Sequence, residues 1–412
     1  MNNSIHSLLL KSVFYSYAIF IAVYYLFAYY FYMLPNNFYW VGINFRDEYF
    51  EALFVEILFG FYYIFIFYFL SYFRCRSVSV SFIDDVFEKR KGIVFSVGLA
   101  MILFYPVSIL LTGGSFSFSS LLGGSLFIQT NSIVSYAQSF FTCSVVFVLY
   151  LFYKRKHAYF VILSLFYLYI CLSVGFRFRI ALFFLMILFC IYLRDRGFPG
   201  RIKIIALALF SVFVIGVVGA TRQYTQGLDL SRLYNTSLVQ TLSEGVFNDS
   251  NIIFTSGMLI EHRFQFGGYK VGEGLLYALF HPIPRSIWAE KPVYESGATE
   301  LFGSASASDY GAALTLAGES FNNFGLYFMW IIPLIFAYIL TRFIRYIISF
   351  RNMPLLIVTF SSIFAWSCYS FTRGYFPQII QDLFFLLLAL VLLGKITSTG
   401  GYKFVLRRRA VV

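Results

Sequence analysis

Apolar runs long enough to cross a bilayer alternate with short, mostly basic connectors along most of the chain. They fall at about residues 8–33, 50–73, 92–112, 133–153, 158–176, 178–193, 204–221, 324–341, 353–371 and 375–394. A helix needs roughly 20 predominantly apolar residues to span the hydrocarbon, so the pattern predicts about ten transmembrane helices, within a range of ten to twelve. One long stretch, residues 222–323, breaks the rhythm. Two weakly apolar pieces within it, Ile252 to Ile260 and Leu275 to Ile283, are too short to span and read as amphipathic or re-entrant helices. Were either to span, the sidedness of everything after it would invert. The fold class is an all-α polytopic integral membrane protein. Its organisation is a seven-span block over 1–221, a large loop over 222–323 and a three-span block with a basic tail over 324–412.

Composition agrees: 60% of the 412 residues are hydrophobic and 12% charged, with a mean hydropathy of +0.77. The 54 Phe and 33 Tyr suit lipid contact and interfacial belts, although a coding bias would enrich them equally. Only Lys11 precedes the first apolar run and no small-residue cleavage pattern follows, so this run reads as a retained span. The cysteines Cys75, Cys143, Cys171, Cys190 and Cys368 fall in or beside spans without paired spacing, which implies neither a disulfide framework nor a cysteine-ligated metal.

A net charge of +12 can signal nucleic acid, but here the basic residues sort by loop, which sets orientation and excludes that partner. Of 31 Lys and Arg, 21 lie at the termini and in alternate connectors, namely Arg74 to Lys91, Lys154 to Lys156, Arg194 to Lys203 and Arg342 to Arg351. These connectors and both termini are expected to be cytoplasmic. The opposite side holds eight arginines, among them Arg177, Arg179, Arg222, Arg285 and Arg373, and two lysines, Lys270 and Lys291.

Those arginines occupy unusual positions. Gly175-Phe-Arg-Phe-Arg179 joins two apolar runs with almost no loop, and Phe371-Thr-Arg-Gly-Tyr-Phe-Pro377 repeats that arrangement between the last two. Arg222 closes the seventh run at the same level. Short connectors cannot lift these guanidiniums far into water. One arginine at an interface snorkels to lipid phosphates; a set at one depth suits bidentate bonding to a phosphate or diphosphate headgroup. In the long loop, Pro282 and Pro284 fix the backbone around Ile283 and set Arg285 on a defined turn, which fits anion stabilisation. Trp288 and Lys291-Pro292 beside it read equally as structural anchors.

Gly318-Glu-Ser-Phe-Asn-Asn-Phe-Gly325 opens the eighth run and places Glu319 near its outer end. A carboxylate there either complements the helix dipole or serves as general base or sugar-hydroxyl partner. His281, beside Pro282, is the better placed of the two outward histidines, His262 and His281, for proton transfer. Asp382, within the last run, is a candidate partner for Arg373. The glycine- and serine-rich stretch Gly113 to Ser125 reads as a plain connector. The chain has no P-loop, outward Asp-x-Asp pair, Gly-x-Ser-x-Gly elbow or His-Glu-x-x-His, so the usual signals of nucleotide hydrolysis, metal-dependent nucleotide-sugar transfer and serine or zinc hydrolysis are missing.

Pro284-Arg-Ser-Ile-Trp-Ala-Glu-Lys-Pro292 and Gly318-Glu-Ser-Phe-Asn-Asn-Phe-Gly325, together with Arg177, Arg179 and Arg373 in tight hairpins, resemble the Wzy-type O-antigen polymerases of Gram-negative bacteria. The resemblance covers nearly the whole chain in architecture and about a tenth of it in motifs. It implies an inner-membrane enzyme of lipopolysaccharide biosynthesis. Such an enzyme transfers a growing glycan from undecaprenyl diphosphate onto the non-reducing sugar of a new carrier-linked repeat unit at the periplasmic face. No metal, cofactor or nucleotide sugar would be needed. Partners would be undecaprenyl-diphosphate-linked repeat units, membrane lipid and a chain-length regulator protein. In that reading Arg285, Glu319 and His281 carry the chemistry, and Arg177, Arg179, Arg222 and Arg373 hold the diphosphate. The O-antigen ligase is the nearest alternative, and a lipid-linked oligosaccharide transporter or flippase one of a different class. A transporter would more often show two similar halves and short loops, and the long loop argues for chemistry outside the bilayer.

Overall fold

A computed structural model describes residues 5–27, 29–30, 39–40, 43–44, 46–75, 87–114, 132–174, 176–195, 198–223, 227–228, 251–281, 283, 287–288, 290–291, 297–302 and 314–398. The first block comprises α1 (Ile5–Phe20), running on as a π-helix (Ile21–Phe27), then α2 (Arg46–Cys75), α3 (Phe87–Leu111), α4 (Ser132–Cys143), α5 (Val145–Tyr153), α6 (His157–Val174), α7 (Arg177–Arg194) and α8 (Phe198–Thr221). Four shorter helices follow: α9 (Asn251–Phe266), α10 (Glu273–Phe280), α11 (Gly297–Phe302) and α12 (Leu316–Phe328). The last three are α13 (Ile331–Ile348), α14 (Met353–Thr372) and α15 (Phe376–Thr397). Extended pairing among the described residues is confined to two antiparallel ladders of two residues per strand, with Tyr39 opposite Asn44 and Arg222 opposite Leu228.

The chain is thus a helical, multi-pass membrane protein. Among the described residues nine helical stretches are long and apolar enough to cross a bilayer, with α4 and α5 forming one of them. Nine of the ten expected runs correspond to these. The remaining one, the sixth run (178–193), forms α7, an 18-residue helix that carries Arg177, Arg179 and Arg194 and is therefore more polar than a plain span. The eighth run is displaced, because the described span is Ile331–Ile348. Gly325 lies at φ +66, ψ −179, a backbone conformation essentially closed to other residues. It separates the Glu319 segment from the span that follows. Arg342 and Arg345 consequently lie within α13 rather than in a connector.

The centre of the bundle is α14, encased by α1, α5, α7, α12, α13 and α15. Of its apolar window 94% is buried. Asn352 caps its start by accepting from Leu355 N at 3.0 Å, with Pro354 set in the first turn where no amide partner is lost. Its serines and threonines tolerate burial by bonding back along the helix, Thr359 to Leu355 O at 2.8 Å and Ser361 to Ile357 O at 3.0 Å. Small hydroxyl residues also let neighbouring helices approach closely. At the end of the bundle near Asn352, Asn352 Nδ2 donates to Tyr150 and Thr397 hydroxyls, both at 3.1 Å, tying α5, α14 and α15 together.

Candidate functional site

The opposite end of α14 carries the hairpin Arg373-Gly-Tyr375, three residues between two spans. Gly374 N donates to Leu314 O at 2.7 Å, and a Cβ on Gly374 would stand 2.2 Å from Thr315 O. Only glycine permits this backbone contact. It presses the hairpin against the start of α12 and leaves Arg373 and Tyr375, both half-buried, on either side of a buried residue.

On the Arg373 side, the guanidinium lies over the Phe178 ring, 4.2 Å from its centroid. Arg179, from the same turn of α7, covers Phe176 at 3.9 Å and donates through Nε to Thr142 Oγ1 at 2.7 Å. Phe178 also meets Tyr369 edge-on, with centroids 6.4 Å apart. Arg179 and Arg373 thus stack on different rings, Phe176 and Phe178, and both charges act on Tyr369. Asp382 accepts from Ser139 Oγ at 2.8 Å and from the Tyr369 hydroxyl, and the guanidinium that acts on it is Arg179. The expected pairing of Asp382 with Arg373 is replaced by this arrangement, because α15 turns Asp382 toward α4.

Beneath the arginines runs an apolar cavity of about 330 Å³ between α1, α7, α8 and α14. Phe178, Tyr369 and Thr372 form part of its wall, with Phe20, Leu182, Leu185 and Val212 among the other lining residues. Phe178 is shared, one side lining the cavity wall and its ring carrying the Arg373 guanidinium.

On the Tyr375 side stand His281 and Glu319. The His281 ring lies 5.7 Å from Tyr277 and 6.5 Å from Tyr375, centroid to centroid. Burial, then the charge of Lys291, push its imidazole below the ordinary histidine range, which leaves it neutral at pH 7 and able to accept a proton. Lys291 is itself 6% exposed and donates to His281 O at 2.8 Å and Ile283 O at 3.1 Å. It thereby closes the carboxyl end of α10, the structural role open to it in the sequence. Glu319 is fully buried rather than placed at the head of a span. Its Oε1 accepts from Asn323 Nδ2 at 3.3 Å, and its charge reaches Tyr375. Burial, then Tyr277 and Glu319, raise the Tyr375 hydroxyl above its ordinary range, so it stays protonated.

Three features were not legible as site residues. Thr315 caps α12 by accepting from Gly318 N at 3.0 Å and hydrogen-bonds the carboxyl of Glu56, which is 2% exposed on α2. Asn323 Oδ1 accepts from Gly274 N at 2.9 Å and so ties α12 to α10. Arg263, 3% exposed, donates to Asn322 Oδ1 at 2.8 Å and to Glu300 Oε2 at 2.6 Å, and Lys270 stands 3.3 Å from the same carboxylate. Burial alone would raise the Glu300 carboxyl; the bond and charge of Arg263, with Lys270, outweigh it and hold the group below its ordinary range. Asn-Asn within an otherwise apolar run was the available signal for two of these.

Arg285 lies outside the described residues, as do Pro282, Pro284, the 115–131 stretch and the tail beyond 398. Arg177 begins α7 and Arg222 begins a two-residue strand, and their side chains lie outside the described atoms. Among the described residues no group of three His, Cys, Asp or Glu side chains is arranged to hold a metal ion. Comparison with protein-family models, curated proteins and solved structures returns no match.

Proposed function

We propose that this protein is a polysaccharide polymerase of the Wzy type, a glycosyltransferase acting on polyprenyl-diphosphate-linked repeat units at the outward face of a bacterial inner membrane. The observation that carries the reading is that Arg373 stacks on Phe178, a ring that also lines an apolar cavity, with Arg179 next to Phe178 in the chain. A lipid carrier combines a dianionic diphosphate with a long hydrocarbon tail. Guanidiniums above an apolar recess match both halves of it.

In this reading the acceptor hydroxyl attacks the anomeric carbon of the growing glycan, the bond from that carbon to the carrier diphosphate breaks, and the diphosphate leaves with the electron pair. Arg179 and Arg373 stabilise the departing charge; the resemblance adds Arg285 and Arg177 to the same task, and Arg222 is a candidate for it by its level at the end of the seventh run. His281 takes the hydroxyl proton, its depressed affinity keeping the imidazole neutral beforehand. Glu319 is too buried to touch a sugar and acts as a positioning residue, holding Asn323.

The reading is tested by expressing Arg373→Ala in the parent strain lacking the gene and displaying its lipopolysaccharide. Loss of one charge-stabilising donor slows such reactions by about 10²- to 10³-fold, so the long-chain ladder should collapse to a single capping unit. Wild-type ladders at wild-type protein level would contradict the role. A deletion strain that attaches no O-antigen at all would point to the ligase reaction instead.

A further inference from the structure

Helix α10, Glu273-Gly-Leu-Leu-Tyr-Ala-Leu-Phe280, packs against the last span, α15. Its buried residues are Gly274 and Ala278, four residues apart, a small-residue spacing that lets helices approach closely in membranes. The opposite face carries Leu276, Leu279 and Phe280, exposed by 58%, 63% and 43%. An amphipathic helix on a water-facing loop would be polar there. In α10 only Glu273, the first residue, is charged. The turns on either side continue the surface, with Val271 exposed by 83% before the helix and Ile287 by 77% after it.

The helix is held in this attitude by polar groups at both ends. Val271 has φ +45, a strained conformation for a β-branched residue, and Gly272 follows at φ +82. Lys270 N and Gly272 N donate to Asn322 O and Asn323 O, both at 3.0 Å, which fixes that turn. At the other end Lys291 binds the carbonyls of His281 and Ile283. Trp288 meets Phe280 edge-on at 5.7 Å, an indole suited to the boundary between hydrocarbon and headgroups. A wholly apolar outer face beside a transmembrane helix calls for hydrocarbon rather than water.

We infer that α10 is embedded in the bilayer leaflet on the Arg373–Tyr375 side, its Leu276, Leu279 and Phe280 face covered by lipid acyl chains. Its eight residues reach only about 12 Å, so it enters the leaflet without crossing. Tyr277 and His281, at its inner edge beside Tyr375, would then stand at a lipid-facing margin of the site. The inference does not depend on the glycosyl-transfer reading.

The test uses the full chain in vesicles of phosphatidylethanolamine and phosphatidylglycerol. Cys75→Ser removes one native thiol, and Cys143, Cys171, Cys190 and Cys368 are buried. Nitroxide labels are placed singly at Leu276→Cys, Leu279→Cys, Leu209→Cys on α8 and Gln265→Cys on α9. Collision with oxygen is compared with collision with a water-soluble nickel chelate. The ratio of oxygen to nickel accessibility at 276 and 279 should equal that at the lipid-facing 209 and exceed that at 265. Nickel accessibility matching 265 would overturn the inference in favour of a water-exposed helix. Low accessibility to both reagents would overturn it in favour of a protein partner or second copy on this face.

Discussion

Arg373 is held by its setting: an aromatic ring beneath it, a close-packed glycine after it and a span on each side. Such a guanidinium is oriented before any anion arrives. Lysine keeps the charge but neither the plane nor the fork, so Arg373→Lys should recover only a minor part of the chain length lost in Arg373→Ala, read on the same lipopolysaccharide gel. His281 yields a pH signature. Its folded affinity for protons lies below the ordinary histidine value of about 6.5, so the unfolded chain binds the proton first as pH falls. The stability it contributes is complete above pH about 6.5 and is lost as pH falls from there through the folded value. Thermal melting of detergent-solubilised protein should show this acid-side slope, and His281→Gln should flatten it; an unchanged slope would remove His281 as its source. The arginines were legible because charge joined directly to apolar runs has few places to go. The Arg263–Glu300 pair was not, since its partners are 37 residues apart and neither is unusual in its local sequence.

At the scale of elements, the contact of the Arg373–Tyr375 hairpin with the start of α12 organises the site. Gly374→Ala would force a methyl to 2.2 Å from the Thr315 carbonyl, and backbone there cannot yield cheaply. Overpacking of this kind costs about 1–3 kcal/mol, so the variant should melt earlier and lose polymer while still inserting in the membrane; an unaltered melting point would show that the hairpin has room. The Arg263–Glu300–Lys270 group ties α9 to α11 and, through Asn322, to α12. Arg263→Met leaves the buried Asn322 Oδ1 without this donor and the exposed Glu300 with Lys270 alone, and about 1–3 kcal/mol of stability should disappear, measurable by thermal shift. The order and extent of most helices followed from hydrophobic run length. Two departures have local causes: Gly325 kinks α12 ahead of the span that follows it, and the arginines of α7 set it apart from plain spans. Run length registers apolar residues and is blind to a positive φ.

Across the whole molecule, the encased α14 makes a rigid post, and the polar hairpin is carried at its end. The shorter helices α9, α10 and α12 gather around that end, linked to it and to each other by Thr315, Asn322 and Asn323. That gathering was beyond sequence reading, since it depends on contacts between segments far apart in the chain. We propose that this end of the bundle handles a lipid-linked diphosphate through Arg179 and Arg373. The most direct measurement incubates purified protein with undecaprenyl-diphosphate-linked repeat units, a chelator present and no nucleotide added, and resolves the products by size. Wild-type protein should build a ladder of polymer, and Arg373→Ala should slow it by about 10²-fold or more. Repeat units left unchanged by the wild type, or a full ladder from the folded variant, would contradict the account.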